Sequence, residues 1–535
     1  MDTLFLQRAL HEVPRLLGQL NRNPSSSTYG SFDRAYWLHR SRDFSCARHQ
    51  EAVFALALLY AHPFPGNSYA GDKRVLEWIN AALLFAVSLQ RSDGSFDEWY
   101  PFEHSFVCTA FVTVALAKTI LILPEDASLP REKVCMALTK AGKWLARHTE
   151  TTAYNQLAGG VCALYAVYRA TKDASFEKAA KQHAQHLLTA QSKEGWWPEY
   201  GGPDAGYLSL TVDYLSLYAV WSKDERIFQA LRTSTKFLRL CAHMDGTFGG
   251  TFMSRNTEYL IPSGVARLAS RDVVAKELLL HAHRALKEGK GLQPSNLDDR
   301  YVCFLLSNWL EAGLLAGEAK QHAETSSAVL AEPPLFLSES GIYTERSPRR
   351  QIIANMYKGG SFVITTLAGR YTDSGIETVF SGKPCTTQSL DRRSRVSYAE
   401  GKLHVKGYFK PIREPMMRPL LLSAFRIFQL TLGRFETTGT WVKRLLRKKM
   451  VSTSVVSDRF FERDIILEAE RIIVIDRFKK ENPSMPVRYG TDASYNFIPS
   501  ARYYSVHDSI GNTLLPRIQV DEEDGQTRIT RTFTL

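Results

Sequence analysis

Four stretches of the chain gather the side chains that could do chemistry. DGSFDEWYPFEHS at 93–105 carries Asp97, Glu98, Trp99, Tyr100, Glu103 and His104. AYNQLAGG at 153–160 opens a helical pattern with Tyr154, Asn155 and Gln156. GWWPEYGGPDAGYLSLTVDY at 195–214 holds Trp196, Trp197, Glu199, Tyr200, Asp204, Tyr207, Asp213 and Tyr214. GTFGGTFMSRNTEYLIPSG at 246–264 holds Arg255, Asn256, Glu258 and Tyr259.

Each residue type offers something to an acidic sugar. Asn and Gln donate neutral hydrogen bonds to a carboxylate and stabilise added negative charge on it. Arg does so with charge, and its planar fork matches a carboxylate at two points. A Tyr in such company can give or take a proton once its pKa is lowered, and His is poised near neutrality. Trp99, Trp196 and Trp197 offer flat platforms for sugar rings. Together these suit an anionic polysaccharide better than a small neutral metabolite.

Plainer readings stand beside these. Tyr207, Tyr214 and Tyr259 also fit the apolar faces of helices. Asp204 and Asp213 fit a helix cap and a surface charge, and His104 beside Glu103 fits a satisfied loop histidine. His183 and His186 lie three apart on one helix, a spacing that suits a metal, but no third ligand stands out. No metal and no cofactor is expected.

The elements that must position these loops are helical from about residue 45 to 320. Apolar stripes recur at 50–61, 74–90, 106–122, 133–148, 156–170, 176–191, 207–221, 227–242, 259–268, 272–287 and 301–314. Three of the turns between them share a theme: SLQRSDGSF at 88–96, TAQSKEGWW at 189–197 and LCAHMDGTF at 240–248. An acidic residue, a Gly and an aromatic follow each helix end; the second and third turns lie about 50 residues apart, roughly one helical hairpin, and the first about twice that before the second. Such hairpins bury their faces only by stacking sideways, in an open solenoid or a closed ring. Loops this rich in functional side chains favour the ring, so an α/α toroid, if an incomplete one, is expected over 1–330.

Past AEPPLFL the texture changes to alternation of period two, in SFVITTLA at 361–368, KLHVKGYF at 402–409 and RIIVIDRF at 471–478. That pattern predicts half-buried antiparallel strands, and a β-sandwich over 331–535. A basic, aromatic, amphipathic stretch at 412–450 interrupts it.

The 535 residues include 67 Lys and Arg against 55 Asp and Glu, a net charge of +12. That balance admits nucleic acid, an anionic membrane surface or an acidic substrate as partner. The absence of zinc-finger, aromatic RNA-binding and dense basic-arm motifs argues against nucleic acid. The seven dispersed cysteines read as reduced, buried thiols. The N-terminus reads as an amphipathic helix and not a signal peptide, so a cytoplasmic protein is expected. The basic segment at 412–450 allows peripheral contact with the inner face of the membrane. Oligomeric state is not legible.

The DGSF-type turns, the YNQLAGG helix start, the GGPDAGYLSLTVDY loop and helix, the GTFMSRNTEY loop and the β-rich tail resemble the heparinase II/III-like polysaccharide lyases. The resemblance implies β-elimination at a uronic acid. Such enzymes neutralise the sugar carboxylate with Asn, Arg or His, remove the C5 proton with Tyr or His, and protonate the departing O4 with Tyr. Carried onto this chain, it implies Asn155 as neutraliser, helped by Gln156 or Arg255, and Tyr207 or Tyr214 in proton transfer. Arg255, Asn256 and Glu258 would hold the sugar and orient the base. Related lyases often place a His shortly before the catalytic Tyr, whereas this loop has Glu199 and Asp204, so His104 would have to arrive through space. A toroid glycoside hydrolase using paired carboxylates among Asp97, Glu98, Glu199, Asp204 and Asp213 is one alternative. A non-catalytic glycan-binding or assembly protein at the membrane surface is the other.

Overall fold

The computed structural model describes residues 3–319, 332–412, 418–435, 438–439, 441–442, 458–482, 484–490, 513–523 and 525–534. The helical part runs α1 (Thr3–His11), α2 (Val13–Gln19), α3 (Arg34–Trp37), α4 (Val53–Ala61), α5 (Lys73–Ser88), α6 (Phe106–Ile122) and α7 (Arg131–Arg147). It continues through α8 (Tyr154–Thr171), α9 (Ala174–Ala190), α10 (Ala205–Ser222), α11 (Glu225–Leu240), α12 (Pro262–Leu268), α13 (Val273–Glu288) and α14 (Asp299–Ala319).

Two kinds of helix alternate, and the sequence says why. The even-numbered helices from α4 on are apolar nearly all round; α6 buries Cys108, Phe111, Val112, Leu116 and Ile120 on successive faces. A helix of that kind must be surrounded. The odd-numbered ones are amphipathic: α11 buries Ile227, Leu231, Phe237 and Leu238 and turns Arg226, Gln229, Arg232 and Lys236 to solvent. Asp72, Asp173, Asp204, Asp224 and Asp272 each cap a helix start by accepting a backbone N–H.

The inner helices α4, α6, α8, α10, α12 and α14 touch in that order, and α14 returns to α4 and to the 3-10 turn Ala47–Ala52 before it. Outside, α5, α7, α9, α11 and α13 follow one another, and α13 meets α1. The ring closes, where the sequence had allowed for an incomplete one.

The repeated turns owe their composition to packing. Gly94 and Gly195 have φ near +100°, and a Cβ there would lie 2.3 Å from the Lys140 carbonyl oxygen and 2.4 Å from that of Thr233. Only Gly fits a left-handed turn pressed on the neighbouring outer helix. Gln90 and Gln191 make matching bonds, donating to the carbonyls of Gly94 and Ala137 and of Gly195 and Ala230. Every such turn leads from an outer helix to the start of an inner one, which brings the rich loops to one end of the ring.

The strands that follow are β1 (Glu332–Leu337), β2 (Ile342–Arg346), β3 (Arg350–Asn355), β4 (Ser361–Thr366), β5 (Arg370–Asp373), β6 (Ile376–Phe380), β7 (Lys383–Thr386) and β8 (Arg395–Ala399). Then come β9 (Lys402–Tyr408), β10 (Lys410–Pro411), helix α15 (Pro419–Leu430), β11 (Phe460–Leu467), β12 (Arg471–Lys479), β13 (Val487–Tyr489), β14 (Arg517–Glu523) and β15 (Gln526–Thr534). They form antiparallel sheets in the orders β1-β2-β3-β4-β5, β10-β7-β6-β13 and β14-β15-β12-β11-β9-β8. The basic run at 443–449 lies outside the described residues.

One strand departs from its sequence pattern. The alternation in 361–368 predicts a single buried face, yet β4 is buried on both. Val363, with Ile342 and Ile353, points into the toroid core. Phe362 and Ile364, with Tyr343 and Ile352, point into the sandwich core with Leu403, Ile465, Val474 and Phe533. The first sheet is therefore a middle layer.

Candidate active site

The site end of the ring is built from three loops and two helix starts. Asn155 lies in the first turn of α8, and its surroundings are fixed by Glu199. The Glu199 carboxyl accepts from the Asn155 backbone N–H at 2.7 Å and from its side-chain Nδ2 at 2.8 Å. Burial pushes the Glu199 carboxyl well above its ordinary range, although both Asn155 bonds act to lower it. The carbonyl of Glu199 accepts from Ser254 Oγ at 2.9 Å.

Asp204 is the organiser of the next layer. It caps α10 by accepting from Tyr207 N at 3.2 Å, and it also accepts from Arg255 N at 3.0 Å and from the Thr257 hydroxyl. Burial raises this carboxyl too, against the pull of those donors. Arg255 follows directly: its guanidinium carbon stands 4.3 Å over the Tyr200 ring, a cation–π contact. Tyr200 is held in left-handed backbone at φ 55°. Tyr207, one turn into α10, meets the edge of Tyr259 at 6.5 Å.

Asn155, Tyr207 and Arg255 thus hang on one continuous framework through Glu199, Ser254 and Asp204. Asn155 and Arg255 present only an edge, 4% and 8% exposed, whereas Tyr200, Tyr207, Gln156 and Glu258 are half-buried. Asn256, at φ 58°, is buried and accepts a bond from Lys358. Tyr259 is core.

The remaining sequence candidates divide. Trp99 is 47% exposed, with the Arg300 guanidinium 4.0 Å over its ring. Trp196 and Trp197 are 3% and 1% exposed, and their indole N–H groups donate to Glu194 and to the Leu187 carbonyl. No ring face is left there for a sugar. His104 is tied within its own loop, to Asp93 at 2.6 Å and Ser95 Oγ at 2.9 Å, and Asp93 is held down at about 2: burial raises it, and the bonds to His104 and Ser95 outweigh that. Tyr214 sits two helical turns deeper, in a cavity inside the ring with Arg48, Glu51, Asp213, Asn308 and Glu311. It is separate from the Asn155 framework, and burial raises its phenol. Among the described residues no cluster of metal-ligating side chains occurs.

Two contributors escaped the sequence. Tyr200 was visible in its loop but carried no role. Lys358 comes from the sheet domain, in the turn between β3 and β4, and its Nζ donates to the Met253 carbonyl and to Asn256 Oδ1. Burial lowers this amine to about 7, with Arg255 adding to the effect and Asp204 opposing it. No local sequence signal marks it, because its partners lie 102 and 105 residues away.

No known family and no curated protein matches the sequence. Solved structures do match. The Paenibacillus xanthan lyase superposes with a TM-score of 0.59 at 9% identity, over 91% of this chain and 46% of its own. The Streptomyces coelicolor A3 chondroitin AC lyase, determined with chondroitin sulphate, gives 0.56 at 11% identity, over 90% of this chain and 67% of its own. The chain has the fold of these polysaccharide lyases. It spans about half the length of the xanthan lyase. Both superpositions run through the toroid and into the sheets behind it, since they cover 91% and 90% of this chain.

Proposed function

We propose that the protein is a polysaccharide lyase-like enzyme that cleaves a uronic-acid glycan by β-elimination. The observation that carries this reading is the single framework joining Asn155, Arg255, Tyr200 and Tyr207 at one end of a lyase-type toroid. Arg255 and the Asn155 amide meet the uronate carboxylate and favour the extra negative charge it gains as the C5 proton leaves. The starts of α8 and α10 add their positive ends on the same side.

A phenol takes the C5 proton. The C5 electron pair forms the C4–C5 double bond, the C4–O4 bond breaks with its electrons on oxygen, and O4 is protonated. Tyr207 is the proton carrier to O4. Tyr200 lies seven residues earlier, under the Arg255 guanidinium. It is the second candidate for the base.

Paired-carboxylate hydrolysis has less support. Glu98 is bound to Arg300 at 2.6 Å, Asp97 to Arg91 at 2.7 Å, Asp213 to Arg267 at 3.1 Å, and Glu199 and Asp204 brace the framework. Asp213 does line the inner cavity with Glu51 and Glu311, but Arg267 and Arg48 pair with all three. Incubation with uronic-acid oligosaccharides tests the choice. An unsaturated uronate absorbing in the near ultraviolet is expected; new reducing ends without that absorbance would reject elimination.

A further inference from the structure

We propose that α15 docks the protein on the surface of an anionic lipid bilayer. A surface helix of a soluble domain turns its large apolar residues inward, yet this one leaves five of them, Leu420, Leu421, Leu422, Ile427 and Leu430, in solvent. Toward the protein it turns Phe425, Arg426, Phe428 and Gln429: Arg426 pairs with Asp43 at 3.2 Å and donates to Gln429 at 2.9 Å, and Gln429 is 2% exposed. Its aliphatic side faces solvent. Leu420 at the helix start, Ile427 about two turns on and Leu430 about three turns on share one face at 87%, 64% and 45% exposure. Leu432, Phe435 and Trp441 extend the exposed apolar surface beyond the helix.

Charge selects the occupant. Residues 418–435 carry three Arg and no acidic residue, and Arg418 and Arg434, on the flanks of the helix, are exposed. Two copies of this face would bring like charge together, whereas phosphate-bearing headgroups complement it. Spanning is excluded, since 12 residues of helix cover only about 18 Å. The helix is not adrift from the ring: Phe425 meets Tyr100 at 5.2 Å, and Arg434 lies 5.1 Å from the Phe102 ring. Both contacts fall in the 93–105 loop, so docking would hold the site end beside the lipid surface. This inference does not depend on the elimination chemistry.

Co-sedimentation of the full chain with phosphatidylcholine vesicles, with and without phosphatidylserine, tests it. Binding only to the phosphatidylserine vesicles is expected, falling as salt is raised. The combined variant Leu420→Ser, Ile427→Ser, Leu430→Ser should lower binding by about tenfold or more, with an unchanged circular dichroism spectrum because these side chains are exposed. Arg418→Glu with Arg434→Glu should weaken it as well. No binding, equal binding to neutral vesicles, or undiminished binding by the combined variant would each overturn the proposal. So would a dimer that the leucine changes split while lipid binding is nil, since a second copy would then own the face.

Discussion

At the scale of single residues, the proposed chemistry rests on two phenols and a guanidinium. Tyr207→Phe is expected to lower kcat by about 100-fold or more, the range of a lost proton carrier, with KM little changed. The rate of appearance of unsaturated product measures it. Arg255→Lys keeps the charge but loses the planar fork and the stacking on Tyr200, so it should raise KM and lower kcat together. Lys358 offers a pH test. Its amine, at about 7, lies far below the ordinary 10.5 it regains on unfolding. Between those values the unfolded chain binds the extra proton, so stability rises with pH by up to ~1.4 kcal/mol per unit. The neutral amine still donates to Met253 and Asn256. Urea unfolding of wild type and Lys358→Met across pH 6.5 to 8.5 (roughly the lower half of that interval) should show the difference between them growing in favour of wild type. A constant difference would mean that the amine keeps its proton. Sequence reading proposed Asn155, Tyr207 and Arg255 through the family resemblance, and the fold joins them through Glu199, Ser254 and Asp204. It could not reach Lys358, whose role exists only across the domain contact, and it misjudged the usefulness of Trp196 and Trp197. Two adjacent tryptophans look like platforms in a string of letters, yet here they fill the space beneath a turn.

At the scale of elements, Asp204 ties a helix start to the loop bearing Arg255. Asp204→Ala removes the cap of α10 and leaves the buried N–H of Arg255 unpartnered, at a cost of about 2–4 kcal/mol. Denaturant midpoints would record that loss, and kcat/KM should fall with it, because Arg255 loses its backbone anchor. Asp204→Asn keeps an acceptor for the cap and should recover part of both. The hairpin pattern itself was legible. Eleven apolar stripes correspond to α4–α14, since period-3.6 burial needs no long-range information. The strands at 361–366, 402–408 and 471–479 were legible for the same reason at period two. Burial on both faces of β4 was not, because a local pattern cannot report that a helical domain lies against the far side of a sheet.

At the scale of the whole molecule, the sandwich is pinned by charges as well as by apolar contact. Arg463 bonds Asp476 at 2.6 Å and Asp373 at 3.2 Å, Arg531 pairs with both acids, and all four side chains are fully buried. Asp373 belongs to the middle sheet and the other three to the outer one. Burial alone would raise Asp373, but the two guanidiniums hold it below its ordinary value. Its stabilising contribution is therefore present above the ordinary carboxylate value, neutral pH included, and is lost as pH falls through the depressed value. Arg531→Met leaves buried carboxylates short of a partner and should cost about 3–5 kcal/mol, read as a lowered thermal midpoint.

The middle sheet carries a consequence for how this molecule can work. A layer whose two sides are each built into a different hydrophobic interior leaves no plane along which the toroid and the sandwich could slide apart. On the proposed function, the glycan would come and go by way of the rim loops. A chain cut before β1 would strip Ile342, Ile353 and Val363 from the toroid core and leave the Phe252 and Met253 carbonyls without Asn355 and Lys358, and would be expected to clump in solution.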